Sequence, residues 1–209
     1  MITVKDVYNQ LNELADVKLA EKWDNVGLML GDNNSNVNKV LVCLDVTMKV
    51  VKEAIDNNVD LIISHHPVIF SGLKKITNET VHGRKILKLI ENKIAVYSIH
   101  TNSDFAINGL NDFIMDKLNL DGEKVIFNEH EFEDYNPIKN QMEHVRGGLA
   151  RIKILNEKMK LGDLIERIKD SLGISYVRYV GNKNSYVRKI GLVTGLFGKS
   201  LAMDHVAIT

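Results

Sequence analysis

The first 120 residues alternate regularly between short apolar runs and amphipathic segments, and this alternation restricts the fold more than any other feature. The apolar runs predict strands at Val40–Leu44, Leu61–Ile63 and Ala95–Ile99. The amphipathic segments predict helices at Thr3–Leu14, Thr47–Asn57, Thr80–Glu91 and Gly109–Leu118. Such alternation is typical of an α/β fold, a mostly parallel sheet with covering helices, in which ligands bind beyond the carboxyl ends of the strands.

Polar side chains follow all three predicted strands at that edge. In chain order they are Asp45, the adjacent pair His65 and His66, and His100 with Asp104. Clusters after three strands of one sheet predict a functional site at this edge. The other histidines have no such setting, and we expect them to be solvated: His82, His130, His144 and His205.

Imidazole and carboxylate groups together are ligands for divalent ions such as Zn, Mn, Fe and Mg. Pro67 favours an extended backbone at His66, and consecutive extended residues point to opposite sides. We therefore expect His65 and His66 to bind two different ions, which the two oxygens of Asp104 would bridge. Such a pair of ions polarises a substrate oxygen and supplies hydroxide near neutral pH. The structural alternative is that the histidines are ordinary surface or core residues and that Asp104 caps a helix.

The segment around Trp23, the only tryptophan, has no clear period and contains two glycines. One interpretation is a loop and a short strand, with Trp23 filling a gap in the core. The other is a pocket wall, with Asp24 and Asn25 pointing inward. The sequence alone favours the first interpretation.

The pattern changes near residue 122, which predicts two α/β units. Residues 1–124 form the first, carrying the histidines and Asp104, and residues 125–209 form a second, smaller one. Within the second unit, the acidic stretch 128–143 is predicted to be a loop or an irregular crossing. Strands are predicted at Val145–Ile154, Tyr176–Val180 and Val187–Val193, and a helix at Leu161–Leu172 that ends at Gly173.

Composition excludes several classes of protein. The chain has 27 Lys and Arg residues against 27 Asp and Glu residues, so no net charge attracts nucleic acid or an anionic membrane. No apolar run approaches a membrane span, and the first residues lack the order of a signal peptide. The single cysteine, Cys43, lies in an apolar run and excludes an intramolecular disulfide. We expect a cytoplasmic protein without a membrane or nucleic-acid surface.

Five motifs resemble the NIF-three-like family, whose members are often described as dinuclear metal-centre proteins or GTP cyclohydrolase 1 type 2 homologues. They are Trp23-Asp24-Asn25-Val26-Gly27-Leu28, Leu44-Asp45-Val46-Thr47, Ser64-His65-His66-Pro67, Phe70-Ser71-Gly72-Leu73-Lys74 and His100-Thr101-Asn102-Ser103-Asp104. The stretches 147–151 and 176–178 also fit the second half of the family, so the resemblance extends from about residue 1 to residue 195.

This resemblance implies a centre of two divalent ions with His65, His66 and Asp104 as ligands, Asp104 bridging. Residues implied to line or support the pocket are Asp24, Asn25, Asp45, His100, Thr101 and Asn102. It also implies two α/β units, homo-hexameric assembly and a small-molecule or nucleotide substrate. Family members supply a further histidine and a nearby glutamate late in the chain. No glutamate follows His205, so we expect a shortened chain with an incomplete centre.

Three functions remain open from the sequence. The first is a metal-dependent hydrolase acting on a phosphate ester, a cyclic amide or a purine ring carbon. The second is a protein that binds or delivers metal in an interaction with partners and has no turnover of its own. The third is a remnant whose metal centre is incomplete. Neither the metal nor the substrate is legible, because imidazole and carboxylate suit several ions.

Overall fold

The structure, a computed structural model, describes residues 1–195 and 206–208 of the 209-residue chain. Its chain divides into two compact units. The first comprises Met1–Ser103 with Glu133–Glu143, and the second comprises Asp104–Phe132 and the chain from His144 onward. The stretch 196–205 lies outside the described residues. It includes His205, on which the expected absence of a histidine–glutamate pair depends.

The first unit contains a four-stranded sheet built from β1 (Gly27–Leu30), β2 (Val40–Cys43), β3 (Leu61–Ser64) and β4 (Ala95–Ser98). The strand order is β1-β4-β3-β2, with β2, β3 and β4 parallel and β1 antiparallel to β4. Ser64 pairs in register with both Cys43 and Ser98, so the three parallel strands end at the same level. The predicted mostly parallel sheet is confirmed, and the chain leaves all three strands along one edge.

Helices cover both faces of this sheet because its strands are apolar on both faces. Ile62 and Val96 pack into one core with residues of α2 (Met48–Asp56) and α3 (Val81–Glu91). Leu61 and Tyr97 point to the opposite face, where α1 (Val4–Leu14) covers them. The central strands β3 and β4 are buried in this way and leave mainly their ends accessible, which is where His65, His66 and His100 lie.

Threonine caps fix where α2 and α3 begin. Thr47 Oγ1 accepts a hydrogen bond from Val50 N at 3.2 Å, and Thr80 Oγ1 accepts one from Gly83 N at 2.9 Å. Each cap satisfies a first-turn N–H that the helix itself leaves without a partner. Gly83 is required for close packing, because a Cβ there would lie 2.0 Å from the Thr77 carbonyl oxygen.

The second unit contains α4 in part (Thr101–Phe105), α5 (Leu110–Lys117), α6 (Leu161–Leu172) and a sheet in the order β5-β6-β7-β8. The strands of this sheet are β5 (Glu123–Asn136), β6 (Gln141–Lys160), β7 (Tyr186–Leu192) and β8 (Val206–Ile208). Residues 133–136 of β5 and 141–143 of β6 belong to the first unit. Residues of α5, α6, β6 and β7 form one apolar core. The predicted helix at Leu161–Leu172 is confirmed, and it ends at Gly173 in the left-handed conformation (φ 68°).

Buried charge also stabilises this unit. Arg151 is fully buried and pairs with Asp112 at 2.8 Å. Its guanidinium also donates to the carbonyl oxygens of Ala106 and Gly148 at 2.8 and 2.9 Å. Such a pair is tolerated in the interior because hydrogen bonds compensate the lost hydration.

Two predictions for the second half of the chain are wrong. The stretch 128–143, predicted as a loop or an irregular crossing, contains residues 128–136 of β5 and the first three residues of β6, joined by a turn at 137–140, and these strand residues are largely exposed. Polar residues on both faces removed the alternation that identifies a strand. Tyr176–Val180, predicted as a strand, lies in no helix or strand, and Val180 is 98% exposed. Its β-branched and aromatic residues favour a strand, but within the described part of the chain no strand pairs with it.

Among the described residues, none of the helices has the length and apolarity to cross a membrane.

Candidate metal centre

The backbone carries the sheet's hydrogen bonding one step past the strand ends and so fixes the paired histidines. His65 N donates to Cys43 O at 3.0 Å, and His66 N donates to Leu44 O at 2.9 Å. The buried Ser64 hydroxyl donates to the His66 carbonyl oxygen at 2.9 Å. Pro67 then removes the next donor, and the chain turns away from the sheet. Both imidazoles are therefore attached to backbone that the sheet holds rigid.

Three imidazoles meet at this edge. One ring nitrogen each from His65, His66 and His100 lies within 4.8 Å of the other two. The ring centroids are 5.0 to 5.5 Å apart. His100 follows β4, which pairs with β3 in register, so the sheet itself brings it beside His65. We expected His100 to line or support the pocket; in the structure, it lies beside His65 and His66 as a third candidate ligand.

The two adjacent histidines do not point to opposite sides as the sequence analysis expected. Their ring centroids are 5.1 Å apart with an interplanar angle of 52°. Strand β3 ends at Ser64, so His65 and His66 lie in the bend after it, where the alternation of extended backbone no longer applies. Two separate ions were inferred because the two side chains were expected to point to opposite sides, and this expectation is wrong.

Every Nδ1 atom of the three rings is held by an acceptor. His65 Nδ1 lies 3.1 Å from the Ile99 carbonyl oxygen, His66 Nδ1 lies 2.8 Å from Asp45 Oδ1, and His100 Nδ1 lies 2.8 Å from Asp24 Oδ1. A carbonyl or carboxylate oxygen only accepts, so each Nδ1 carries the proton. That tautomer leaves Nε2 of each ring with its lone pair, and such hydrogen bonding of the second nitrogen is typical of histidines that ligate metals.

Asp24 is the most buried of these acceptors, with no exposed side-chain surface. It lies just before β1, whose antiparallel pairing of Gly27 with Ser98 brings it to the end of β4. Its second oxygen accepts from Thr101 N at 3.1 Å and Thr101 Oγ1 at 2.5 Å. Burial alone would raise the pKa of Asp24, but the hydrogen bonds from Thr101 and His100 outweigh it and lower that pKa. Asp24 is thus ionised at neutral pH.

Burial also acts on the histidines. Partial burial, and the neighbouring rings of His100 and His66, lower the pKa of His65. A lower pKa keeps the ring neutral, which is the state that ligates a metal ion. The carboxylate beside His66 is much more open, since Asp45 is 56% exposed.

The two predicted pocket asparagines support the backbone. Asn25 Nδ2 donates to the Ile69 carbonyl oxygen at 2.6 Å, which ties the loop after the histidines to the segment before β1. Asn102 is fully buried, donates to the Ala15 carbonyl oxygen and accepts from His100 N at 2.9 Å. Both residues position other groups of the site.

Asp104, predicted as a bridging ligand, lies in α4 one helical turn after His100 and is 3% exposed. It belongs to the second compact unit, whereas the three histidines belong to the first. Among the described residues, the group of ligand atoms within 4.8 Å consists of the three imidazoles and includes no carboxylate.

Trp23 does not fill a gap in the core. It is 54% exposed, and its ring packs 6.1 Å from that of Phe70 and edge-on to His100 at 6.4 Å. Two exposed aromatic rings thus border the histidines. The interpretation of residues 23–25 as a wall of the site describes the structure better than the core interpretation did.

Among known proteins, the family model Duf34/NIF3 (NGG1p interacting factor 3) matches residues 2–207. The chain is 36% identical over 194 residues to a "GTP cyclohydrolase 1 type 2 homolog" of Clostridium acetobutylicum, covering 93% of this chain and 68% of the relative. It is 34% identical to "Protein NIF3 homolog" of Schizosaccharomyces pombe, covering 96% of this chain and 69% of the relative.

Solved structures agree with these relatives. Staphylococcus aureus protein SA1388 matches with a TM-score of 0.79 and 28% identity, covering 96% of this chain and 76% of that chain. A Bacillus cereus protein related to NIF3 matches with a TM-score of 0.78 and 26% identity, covering 95% and 78%. Sequence and fold thus agree over almost the whole chain, which belongs to the Duf34/NIF3 family.

Proposed function

We propose that this chain binds divalent metal through the Nε2 atoms of His65, His66 and His100. One observation carries the proposal: all three Nδ1 atoms are held by acceptor-only oxygens, in a group of histidines of which one ring nitrogen each lies within 4.8 Å of the other two. Three neutral imidazoles with an open position are a known catalytic arrangement for zinc. This donor set favours Zn²⁺ or Fe²⁺ over Mg²⁺, which prefers oxygen ligands.

A second ion remains part of the proposal. Asp104 is the candidate for bridging two ions, as the family resemblance implies. Its place one helical turn after His100, and its burial, support a role beyond surface solvation. In this arrangement, His65, His66 and His100 would supply the imidazole ligands, and Asp104 would supply the carboxylate that the histidine group lacks.

We further propose that the centre is hydrolytic. When bound, divalent ions polarise a substrate oxygen and generate a nucleophile from water near neutral pH. The chain's own residues fix the ligands: Asp24 and the Ile99 carbonyl oxygen hold the ring planes of His100 and His65. Exposed aromatic rings at Trp23 and Phe70 leave the site open to a small molecule, which supports turnover over the alternative of non-catalytic metal binding.

Metal content measured by elemental analysis tests the binding. We expect one or two equivalents of Zn, Fe or Mn in the wild-type chain and a loss of at least one equivalent in His65→Ala and His100→Ala. His144→Ala, which removes a histidine of β6 outside the group of three, is the matched control and retains the metal. Metal content unchanged in His65→Ala and His100→Ala would refute the assignment.

Turnover is tested separately. Phosphoesters and GTP are incubated with chain loaded with Zn²⁺ or Mn²⁺, and His65→Ala is expected to abolish any hydrolysis. Metal bound without turnover of either substrate class would favour the non-catalytic alternative. Homo-hexameric assembly, implied by the family resemblance, is also proposed, and light scattering tests it. A cytoplasmic location, expected from the amino-acid sequence, is proposed as well.

A further inference from the structure

A cavity of about 980 Å³ opens beside His66 within the first unit. Cavities of a few hundred to about a thousand cubic ångströms are of the size that small-molecule ligands occupy. His66 and Asp45 line one part of it. A ligand in this cavity therefore contacts a residue of the histidine group, so the cavity and the candidate metal centre are parts of one site.

Two lysines line the same cavity. Lys49 lies in the first turn of α2 and Lys85 in the second turn of α3, whose first turn contributes His82 to the lining. Both helices thus present their N-terminal ends, which carry partial positive charge, to the same cavity.

Lys85 Nζ donates to the Val46 carbonyl oxygen at 2.8 Å, which orients the ammonium and leaves two further N–H groups free to bind a ligand. The carboxylate in the lining, Asp45, is already engaged by His66. His82, expected to be solvated, is half-buried here.

Apart from Thr47 and Ser71, the remaining wall is apolar. Val68, Phe70 and Leu73 line it, from the loop that follows the paired histidines. Phe70 is 52% exposed and packs against Trp23. An exposed aromatic ring beside aliphatic side chains suits a flat, apolar ligand body. One ligand must therefore combine an apolar or aromatic body with an anionic group.

We propose that this cavity binds an organic phosphate monoester, with its phosphate at Lys49 and Lys85 and its apolar body against Phe70. Phosphate is favoured over carboxylate because a dianion with three terminal oxygens uses several donors, and lysine is a common phosphate ligand. As a statement about substrate, the inference rests on the proposed metal-centred hydrolase and names the class of molecule that it accepts.

Calorimetric titration with three probes of similar shape tests this at physiological salt. Phenyl phosphate carries the dianion, benzoate carries a carboxylate, and benzyl alcohol carries no charge. We expect phenyl phosphate to bind at least about tenfold tighter than the other two. Equal binding of benzoate would overturn the phosphate assignment, and equal binding of benzyl alcohol would overturn the anion site.

Substitution of the lysines separates the cavity from the metal. Lys85→Met is expected to weaken phenyl phosphate binding about tenfold or more, and the exposed Lys49→Met by a smaller factor. Lys49→Met keeps the test valid if loss of the Lys85 hydrogen bond disturbs folding. Lys52→Met, which removes the same charge one turn further along α2, is the control and changes affinity less than about twofold. Unchanged binding in both Lys49→Met and Lys85→Met would overturn the proposal.

Elemental analysis of the same samples distinguishes this proposal from the proposed function. Lysine-dependent binding of phenyl phosphate by chain that takes up no metal supports the anion site and contradicts the metal centre. Stoichiometric metal with no preference for phenyl phosphate supports the metal centre and overturns the anion site.

Discussion

Replacement of Asp24 by asparagine exchanges one buried oxygen for an amide nitrogen and tests how the third imidazole is held. The carboxylate accepts from His100 Nδ1 and Asn25 N on one oxygen and from the Thr101 N–H and O–H on the other. An amide has only one accepting oxygen. If that oxygen stays with the two Thr101 donors, the amide N–H₂ faces His100 Nδ1. The ring must then accept at Nδ1 and carry its proton on Nε2, the tautomer that cannot ligate a metal ion.

The expected cost follows from the burial of the group. Loss of a hydrogen-bonding partner behind a metal-ligating histidine typically lowers metal affinity about 10- to 100-fold, or about 1.4–2.7 kcal/mol. Asp24 has no exposed side-chain surface, so water cannot substitute for it, and the upper part of that range is expected. Asp45 makes the same contact to His66 but is 56% exposed. Asp45→Asn is therefore expected to cost about tenfold or less.

Competition with a chromophoric chelator for Zn²⁺ measures both variants against the wild-type chain, and circular dichroism checks that each is folded. A folded Asp24→Asn chain that binds Zn²⁺ as tightly as wild type would refute the tautomer argument. A greater loss in Asp45→Asn than in Asp24→Asn would refute the reasoning from burial.

Three further predictions concern stability and are measured by urea denaturation. Arg151→Met removes the buried partner of Asp112, which keeps its ion pair with Lys124, and is therefore expected to cost about 3 kcal/mol, the lower end of the range for a broken buried pair. A loss below about 1 kcal/mol would contradict this. Gly83→Ala places a Cβ 2.0 Å from the Thr77 carbonyl oxygen and is expected to cost about 1–3 kcal/mol. Gly162→Ala is the control: its Cβ would lie 3.4 Å from the Lys183 carbonyl oxygen, and the substitution is expected to be neutral or stabilising. Burial would raise the pKa of Asp112, but the hydrogen bonds from Arg151, Lys124 and Asn108 N and the charge of Arg151 together outweigh it and lower that pKa. The stabilisation is therefore present above the unfolded pKa of about 3.9 and is lost as the pH falls through the folded value. Asp112→Asn should therefore show a shallower loss of stability below about pH 4 than the wild-type chain does, and equal slopes would contradict the role of this carboxyl.

The sequence predicted the first sheet well because its strands are continuous apolar runs that stop at polar residues. Leu61–Ser64 and Ala95–Ser98 are buried on both faces, so each run is as long as its strand. In-register parallel pairing then makes the positions after the strands meet, which is why the polar clusters were expected at one edge.

Side-chain directions beyond the strand ends were not predictable in the same way. His65 and His66 lie in a bend, where no fixed alternation determines the ring positions. Asp24 and His100 are 76 residues apart in sequence, and they meet because β1, which follows Asp24, pairs antiparallel with β4, which precedes His100. The second half was harder still, since the exposed strands β5 and β6 have polar residues on both faces.

The anchoring of all three Nδ1 atoms by Ile99, Asp45 and Asp24 has a consequence for which element the proposed centre would acquire in a cell. The acceptors come from the sheet edge and its flanking loops, so the ring orientations are set by the fold. Metal uptake at this centre would therefore carry little reorganisation cost, in contrast to small zinc domains that are unfolded without metal. Because the three nitrogen ligands are already arranged, occupancy would follow the Irving–Williams order weighted by supply. Chains produced in iron-rich and zinc-rich media should accordingly carry different ions while keeping the same fold.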